Sequence, residues 1–358
     1  MVVGNVTMRT IADELDVSVS AVSLALNNKP GIASDLREKI LLVSREMGYD
    51  IEKINDKKTV KGDLGMLLLH GKKGRDPFSI RALDEAQDEA EQRGFHLLLE
   101  AITEEEIERQ KVPQFFKKNI QGVIVGSLIS SEYVLNVLQK KVPVVIQAGD
   151  FSNLPIDSVK ADDYMGALRA VNYLLETGHR RIGLIWAFAW HTSNMRRRLA
   201  YVAALEQAGI PYDPTIVSEP LSENESDAGY EATKKILAQS KEPPDAFFCV
   251  TDDLAAGCMK AIRESGLQIP EDISVIGFDN KEWSRHLHPA LTTMNVPMNR
   301  MQRLAVKRLT ELIESRAREE IERPHTIVLP VELVIRESIA DRKHTHASEP
   351  IVNAVSKR

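Results

Sequence analysis

The sequence predicts an α/β protein in two parts. An N-terminal three-helix unit built on a helix-turn-helix precedes a larger core of doubly wound parallel sheets in two subdomains. Three observations carry this. Residues 6–49 place apolar side chains at helical spacing, interrupted by chain-breaking residues. Seven short, nearly continuous apolar runs follow between residues 64 and 279, as strands buried on both faces should read. Amphipathic stretches separate those runs, and repeated strand–helix alternation builds parallel sheets through right-handed crossovers.

The first part, residues 1–49, reads as short helices with tight connections, and its segment VTMRTIADELDVSVSAVSLALNNKPGIASDLREKILLVSREMGY (6–49) carries the strongest signal. Thr7 is placed to cap a first helix whose apolar face is Ile11, Ala12 and Leu15. Asp16-Val17 is a tight turn, and Ser18 caps a second helix with Val19, Val22, Ala25 and Leu26 at helical spacing. Small residues at Ala12, Ala21 and Ala25 let the two helices cross closely. Asn27-Asn28-Lys29-Pro30-Gly31 breaks the chain, and Ser34 is expected to cap a third helix with Ile40, Val43 and Met47 inward. The second helix of such a unit can enter the major groove with its N-terminal side chains against base edges. That singles out Ser18, Val19, Ser20 and Ser23. Ser18 and Ser23 can equally bond phosphate oxygens, which positions without reading sequence. A three-helix bundle used for protein contacts has the same pattern, so geometry alone leaves both uses open.

Residues 50–62, DIEKINDKKTVKG, are charged and poor in apolar side chains and read as a linker. The core, 63–340, carries the strand-like runs LGMLLLH (64–70), FHLLLEA (95–101), GVIVGSL (122–128), PVVIQAG (143–149), RIGLIWAF (181–188), DAFFCVT (245–251) and ISVIGFD (273–279). Helical patterns lie between them at 80–94, 166–178 and 254–266, the last two ending on Gly178 and Gly266. A span this long suits two similar subdomains with a cleft between them better than one open sheet. Residues 341–358 form a polar tail.

Composition sets outer limits. The chain has 358 residues, 43% hydrophobic and 27% charged, which excludes a disordered chain. No run approaches the ~20 apolar residues of a membrane helix. The N-terminal residues turn polar quickly, so no secretory leader is expected. Two cysteines, Cys249 and Cys258, make neither a disulfide framework nor a zinc site alone. A reducing cytoplasm is the expected location. Net charge is −6, and residues 1–61 hold nine basic and nine acidic side chains. Any nucleic-acid binding must therefore come from local charge placement and from duplication in a dimer.

Ligands of open α/β sheets bind beyond the carboxyl ends of the strands. Phe78 follows the first run; Trp190, Asn194 and Arg196-Arg197-Arg198 follow the fifth; Asp252 and Asp253 follow the sixth; Asp279, Asn280 and Trp283 follow the seventh. Carboxylates and Arg bond hydroxyls, and a flat ring covers the apolar face of a sugar. Each has a structural alternative: Asp252 can cap the next helix, Trp186 reads as core, and Arg197 can be one of three solvated arginines. His179 reads as a cation at a helix C-terminus, and Glu104-Glu105-Glu106 as a solvated helix start. No nucleophile elbow, phosphate loop or metal-spaced His cluster is found, and His344 and His346 lie in the tail. Catalysis, a resident metal and a cofactor are not expected.

The stretch VTMRTIADELDVSVSAVSLALNN resembles the headpiece of the LacI/GalR family of bacterial repressors. The likeness continues through VNYLLETGHRRIGLI (171–185), PPDAFFCVTDDLAAG (243–257), IPEDISVIGFDN (269–280), HPALTTMNVP (288–297) and LPVELVIRES (329–338), in family order. The resemblance implies a homodimer of periplasmic-binding-protein-like cores, each joined by a hinge to a headpiece that binds a double-stranded operator. It implies a repressor controlled by a small effector, expected to be a carbohydrate. The expected DNA contacts are Thr7, Ser18, Val19, Ser20, Ser23, Leu24 and Asn27. The expected effector contacts are Phe78, Asp162, Trp190, Arg197, Asp253 and Asp279. Two departures stand out. Leu24 replaces an Arg that can donate twice to guanine, and offers a thymine methyl an apolar contact instead. The hinge has Ile51 at the Pro position, Asn55-Asp56 at the Ala-Arg pair and Lys58 at the wedge Leu; a Lys cannot act as an apolar wedge between base steps. Ile54 in a shifted register could take that role, but a plain linker is the preferred reading. A sugar-transport binding protein shares the two-lobed core, but is expected to carry a leader and no headpiece.

Overall fold

A computed structural model describes residues 6–26, 31–47, 49, 61–69, 77–126, 129–148, 154–189, 191–222, 225–319 and 323–343, with only the backbone described at 77–82 and 131. The chain divides into two units, Met1–Gly62 with Glu91–His96, and Asp63–Ala90 with Leu97–Arg358.

In the first unit, helices α1 (Met8–Leu15), α2 (Val19–Leu26) and α3 (Ser34–Glu46) follow in order. Thr7 starts α1 through a reciprocal cap: its Oγ1 accepts the Thr10 N–H at 3.3 Å, and its own N–H donates to Thr10 Oγ1 at 2.8 Å. Asp16 ends α1 in the left-handed conformation, φ 52°, and the Val17 N–H returns to the Ala12 carbonyl at 3.0 Å. That is the tight turn expected between the helices. Ser18 Oγ accepts the Ala21 N–H at 3.1 Å and so caps α2. Ser34 differs from expectation. Ala33 holds the cap position without a side-chain bond, and Ser34 is already the first helical residue, where a hydroxyl no longer caps. Ile11, Ala12, Val22, Ala25, Leu26 and Ile40 form the buried core. Arg37 Nη1 donates to the Leu24 and Ala25 carbonyls at 3.3 and 3.5 Å. It ties α3 to the electronegative end of α2.

The second unit holds most of two sheets. Its first lobe runs β1 (Gly62–Leu69), α4 (Pro77–Gln92), β2 (Phe95–Ile102), α5 (Glu104–Glu108), β3 (Ile120–Val125), α6 (Ser131–Leu138), β4 (Val144–Gln147) and β5 (Asp157–Ala161). The second lobe runs α7 (Asp163–Glu176), β6 (Ile182–Ile185), α8 (Thr192–Gln207), α9 (Ser226–Gln239), β7 (Ala246–Cys249), α10 (Asp252–Glu264), β8 (Ser274–Ile276) and β9 (Thr293–Asn295). The chain then returns to the first lobe for α11 (Met298–Ala317) and β10 (Thr326–Leu329), and crosses again to β11 (Glu332–Val334). Six strands are ordered β10-β5-β4-β3-β1-β2 and three are ordered β6-β7-β8. The pairs β1/β3, β3/β4, β4/β5, β5/β10, β6/β7 and β7/β8 are parallel. β9 and β11 form a separate antiparallel pair.

All seven apolar runs are strands. β5 lies outside those runs because Asp157, Ser158 and Lys160 interrupt its apolar character. Asp157 is buried, and its Oδ1 accepts Arg308 Nε at 2.6 Å and the His325 N–H at 3.1 Å. His179 also departs from its expected role. It is fully buried, with Nδ1 3.0 Å from the Leu174 carbonyl and Nε2 2.8 Å from Ser274 Oγ. Burial lowers its pKa, so it is a neutral hydrogen-bonding post rather than a cation. Thr103 and Glu106 form a capping box at α5, the solvated helix start expected there. Trp186 is core, 6% exposed, its Nε1 donating to the Ser218 carbonyl at 2.9 Å. The first residues of the tail are docked: the Arg342 N–H donates to the Thr177 carbonyl at 2.7 Å.

α9 and α10 pack with their backbones almost touching. A Cβ on Gly257 would stand 1.8 Å from the Ser226 carbonyl oxygen, and one on Gly229 2.4 Å from the Leu254 carbonyl oxygen. Neither neighbour is a flexible side chain. Gly257→Ala therefore forces the helices apart and destabilises the fold by about 3 kcal/mol. Urea denaturation checks this; an unchanged midpoint contradicts the close approach.

Candidate functional site

The ends of β7 and β8 and the start of α7 converge on one buried cation. Arg197, on α8, donates from Nε to Asp163 Oδ1 at 2.9 Å, and its Nη2 lies 2.7 Å from the same oxygen. Nη1 donates to the Val250 carbonyl at 2.5 Å and to Asp279 Oδ1 at 3.3 Å. The guanidinium lies 3.7 Å from the Phe278 ring centroid. Burial disfavours the charge, but Asp163 and Asp279 more than offset it and raise the Arg197 pKa. The solvated alternative for Arg197 is therefore overturned.

A second cluster abuts the first. Asp252 is fully buried; its Oδ2 accepts the Lys281 N–H at 2.7 Å and its Oδ1 faces Thr293 Oγ1 at 2.5 Å. It does not cap α10, because Thr251 does, accepting the Leu254 N–H. Gly277 is a glycine because a Cβ there would stand 2.4 Å from Asp252 Oδ1. Lys281 Nζ pairs with Asp253 at 2.6 Å. Asp279 has φ 117°, a costly conformation for a non-glycine residue. The Met294 carbonyl and Arg197 hold it there. Exposure separates the acids: Asp163 is 4% exposed, Asp279 19% and Asp253 29%. Only the last two are open enough to meet a small molecule.

Burial pushes the Asp279 carboxyl up to about 6, against the opposing pull of Arg197. It pushes Asp252 up to about 8, with Asp279 adding to the rise. His191, at the start of α8, is held down to about 4 by burial and by Arg197. The strand ends thus carry fixed charge next to groups that favour neutrality.

The other expected residues fall as follows. Asp162 caps α7, its Oδ1 accepting the Met165 N–H at 3.2 Å, and it is the adjacent Asp163 that meets Arg197. The Asp162-Asp163 doublet was the available signal, and one helical step separates a cap from a buried ligand of Arg197. Trp190, Asn27, His344, His346 and hinge positions 50–60 lie outside the described residues, as does the Phe78 side chain. Asn194 is buried and donates from Nδ2 to the Ala187 carbonyl at 2.9 Å. In the first unit, Thr7, Ser18, Val19 and Ser20 are exposed, whereas Ser23 and Leu24 are half-buried. Sequence reasoning missed Asp163, Lys281, Thr293 and Arg336. Arg336 Nη2 donates to Asn280 Oδ1 at 2.6 Å, and Nη1 donates to Ser284 Oγ at 3.1 Å and to the Leu291 carbonyl at 2.6 Å. Among the described residues no group of three or more His, Cys, Asp or Glu is placed to hold a metal ion. No helix among them is long and apolar enough to cross a membrane.

Residues 7–50 match the bacterial regulatory proteins of the lacI family, and residues 171–339 match the periplasmic binding protein-like domain. The HTH-type transcriptional repressor PurR of Pasteurella multocida (strain Pm70) is 30% identical over 346 residues, covering 94% of this chain and 99% of its own. The probable HTH-type transcriptional repressor ExuR of Bacillus subtilis (strain 168) is 28% identical over 339 residues, covering 93% and 98%. Among solved structures, the transcriptional regulator CelR–cellobiose complex matches with a TM-score of 0.70 at 25% identity, covering 93% of this chain and 99% of that one. The lac repressor dimer bound to operator and the anti-inducer ONPF shares the fold, with a TM-score of 0.70 at 23% identity and coverage of 94% and 100%. A helix-turn-helix unit on a two-lobed α/β core, with these relatives, defines a DNA-binding transcriptional repressor. The chain belongs to the LacI family of bacterial regulatory proteins.

Asp252 is neutral when folded below pH about 8, whereas an unfolded Asp ionises near its usual ~4. Its contribution to stability is complete below pH ~4 and is lost as pH rises through about 8. His191 works in the opposite direction, losing stability as pH falls from ~6.5 toward 4. Asp252→Asn keeps both hydrogen bonds and removes the first trend. Its denaturation midpoint, measured against wild type from pH 4 to 8, should gain steadily as pH rises; a constant difference contradicts the raised Asp252 pKa.

Proposed function

We propose that the protein represses transcription as a homodimer on a near-palindromic double-stranded operator, released or tightened by a small carbohydrate-like effector held at the strand ends of the core. Arg197, Asp279 and Asp253 make the polar contacts to that effector. Phe78 and Trp190 are assigned to its apolar face and Asp162 to the rim. The observation that carries the reading is the Arg197–Asp279 pair. A charged, pre-oriented fork and a partly open carboxylate meet where β7 and β8 end, and the chain re-enters the first lobe shortly afterwards, between Asn295 and Met298. Such a pair bonds vicinal hydroxyls well, and a relative with 25% identity is described in complex with cellobiose. An effector with unequal affinity for two closure states of the lobes shifts their balance and with it operator affinity.

On the DNA side, Ser18, Val19 and Ser20 form the exposed N-terminal turn of α2, the turn that reads bases in helix-turn-helix proteins. Ser23 and Leu24 follow on the next turn, where Leu24 favours a thymine methyl. Thr7 and Asn27 serve the phosphate backbone. The protein acts in the cytoplasm, and its role is regulatory rather than catalytic.

Selection of bound duplexes from a random pool tests the DNA half. Wild type should enrich one near-palindromic site. Ser20→Ala should change which bases are enriched more than total affinity; a uniform loss on every sequence assigns Ser20 to phosphate. Asp279→Asn, assayed on the selected operator with a panel of sugars, should lose the effector response and keep effector-free binding. An undiminished response removes Asp279 from the site.

A further inference from the structure

Beside the strand ends, a cavity of about 480 Å³ lies under the segment that joins β9 to α11. Its wall is strongly cationic: Lys281, Arg285, Arg300, Arg303 and Arg336 line it, against one acid, Glu282. Three of these cations have their charge answered. Lys281 pairs with Asp253 at 2.6 Å, Arg285 with Glu282 at 2.7 Å and Arg303 with Glu85 at 3.2 Å. Two do not. Arg300 makes no ion pair among the described residues. Arg336 is half-buried and hydrogen-bonds the neutral acceptors Asn280, Ser284 and Leu291; the acid that acts on it is Asp252, which burial keeps neutral up to about pH 8. Burying a guanidinium beside neutral partners is costly unless a counter-charge arrives. Trp283, Pro297 and Met298 line the same cavity and give it an apolar side.

We infer that this cavity holds an anionic group, a phosphate or carboxylate carried by a small polar metabolite, with Arg300 and Arg336 as its charge partners. This rests on the reading that the core binds a small effector, and it specifies that effector as an acidic derivative rather than a neutral sugar. Arginine suits the role, because its planar fork meets phosphate or carboxylate oxygens in pairs. The Trp283, Pro297 and Met298 side covers the uncharged body. The same lobe-crossing segment thereby senses the charge, since Pro297 and Met298 open directly into α11.

The test uses the full chain. Thermal melting is followed at constant ionic strength with chloride exchanged for inorganic phosphate, then with matched glucose, glucose 6-phosphate and glucuronate. Wild type should show a saturable phosphate-dependent rise in Tm, and Arg300→Gln should weaken apparent phosphate affinity by about tenfold, the loss expected for one charged hydrogen bond. Arg300 is exposed, so this variant keeps its fold; Arg336→Lys, which retains the charge but not the fork, should give a smaller loss in the same direction. The two glucose derivatives tell a phosphate source from a carboxylate source, and an Arg300-dependent shift with either supports the site. Equal phosphate shifts in wild type and Arg300→Gln, or none in either, overturn it. A neutral-sugar response that needs Asp279 and ignores Arg300 overturns it while leaving the effector site at Arg197 and Asp279 standing. An Arg300-dependent phosphate shift with no role for Asp279 supports this cavity and removes the other site.

Discussion

A guanidinium cannot be buried without acceptors and counter-charge to answer it, and the second lobe is organised around meeting that demand at Arg197. Its charge is answered by Asp163 from the start of α7 and by Asp279 from the end of β8, while the Val250 carbonyl takes a third bond from the end of β7. Four elements that are far apart in sequence are thus held at one point. Loss of any partner leaves an uncompensated buried charge, a cost of several kcal/mol. The same demand holds Asp279 at its positive φ: backbone strain at this position is sustained by the ion pair and the Met294 contact. Under the proposed function, a ligand that takes over part of the Asp279–Arg197 interaction competes directly with the force holding the ends of β7 and β8 to the start of α7. That competition is a physical route from binding to a change in lobe geometry.

The headpiece works by different means. Its six fully buried side chains make a small core, and its precision comes from local caps: Thr7 with Thr10, Asp16 in the left-handed turn, Ser18 over Ala21. These set the turn between α1 and α2 locally, and the core shared with Ile40 of α3 completes the packing. Ser18 caps the second helix through its hydroxyl oxygen and is itself exposed, as the proposed DNA contact requires.

Much of this was legible in the residues. The seven strand cores were readable because each is apolar on both faces, and the helix-turn-helix because Thr7, Asp16-Val17 and Ser18 are local signals whose partners lie within a few positions. The fold class followed from their order. The rest depends on distant partners. β5 is a strand despite Asp157, Ser158 and Lys160, because Arg308 from α11 answers the buried acid. His179 reads in sequence as a helix C-terminal cation, but Ser274, 95 residues on, closes over it. Arg197 and Asp279 could be named from the family resemblance, but their bond to one another, and the choice of Asp163 over Asp162, are tertiary facts. Arg336 reaches Asn280 across 56 positions, and nothing near it in the chain announces that.

The threefold crossing between lobes also governs how the protein is made. β5 is completed early in synthesis, yet its outer neighbour β10 (Thr326–Leu329) emerges only after the whole of the second sheet. Until then the growing chain presents β5 as a bare edge, the kind of surface on which nascent chains stick to one another. Completion of the first lobe thus waits for residues 326–329, and a chain cut short before residue 326 keeps an open sheet edge.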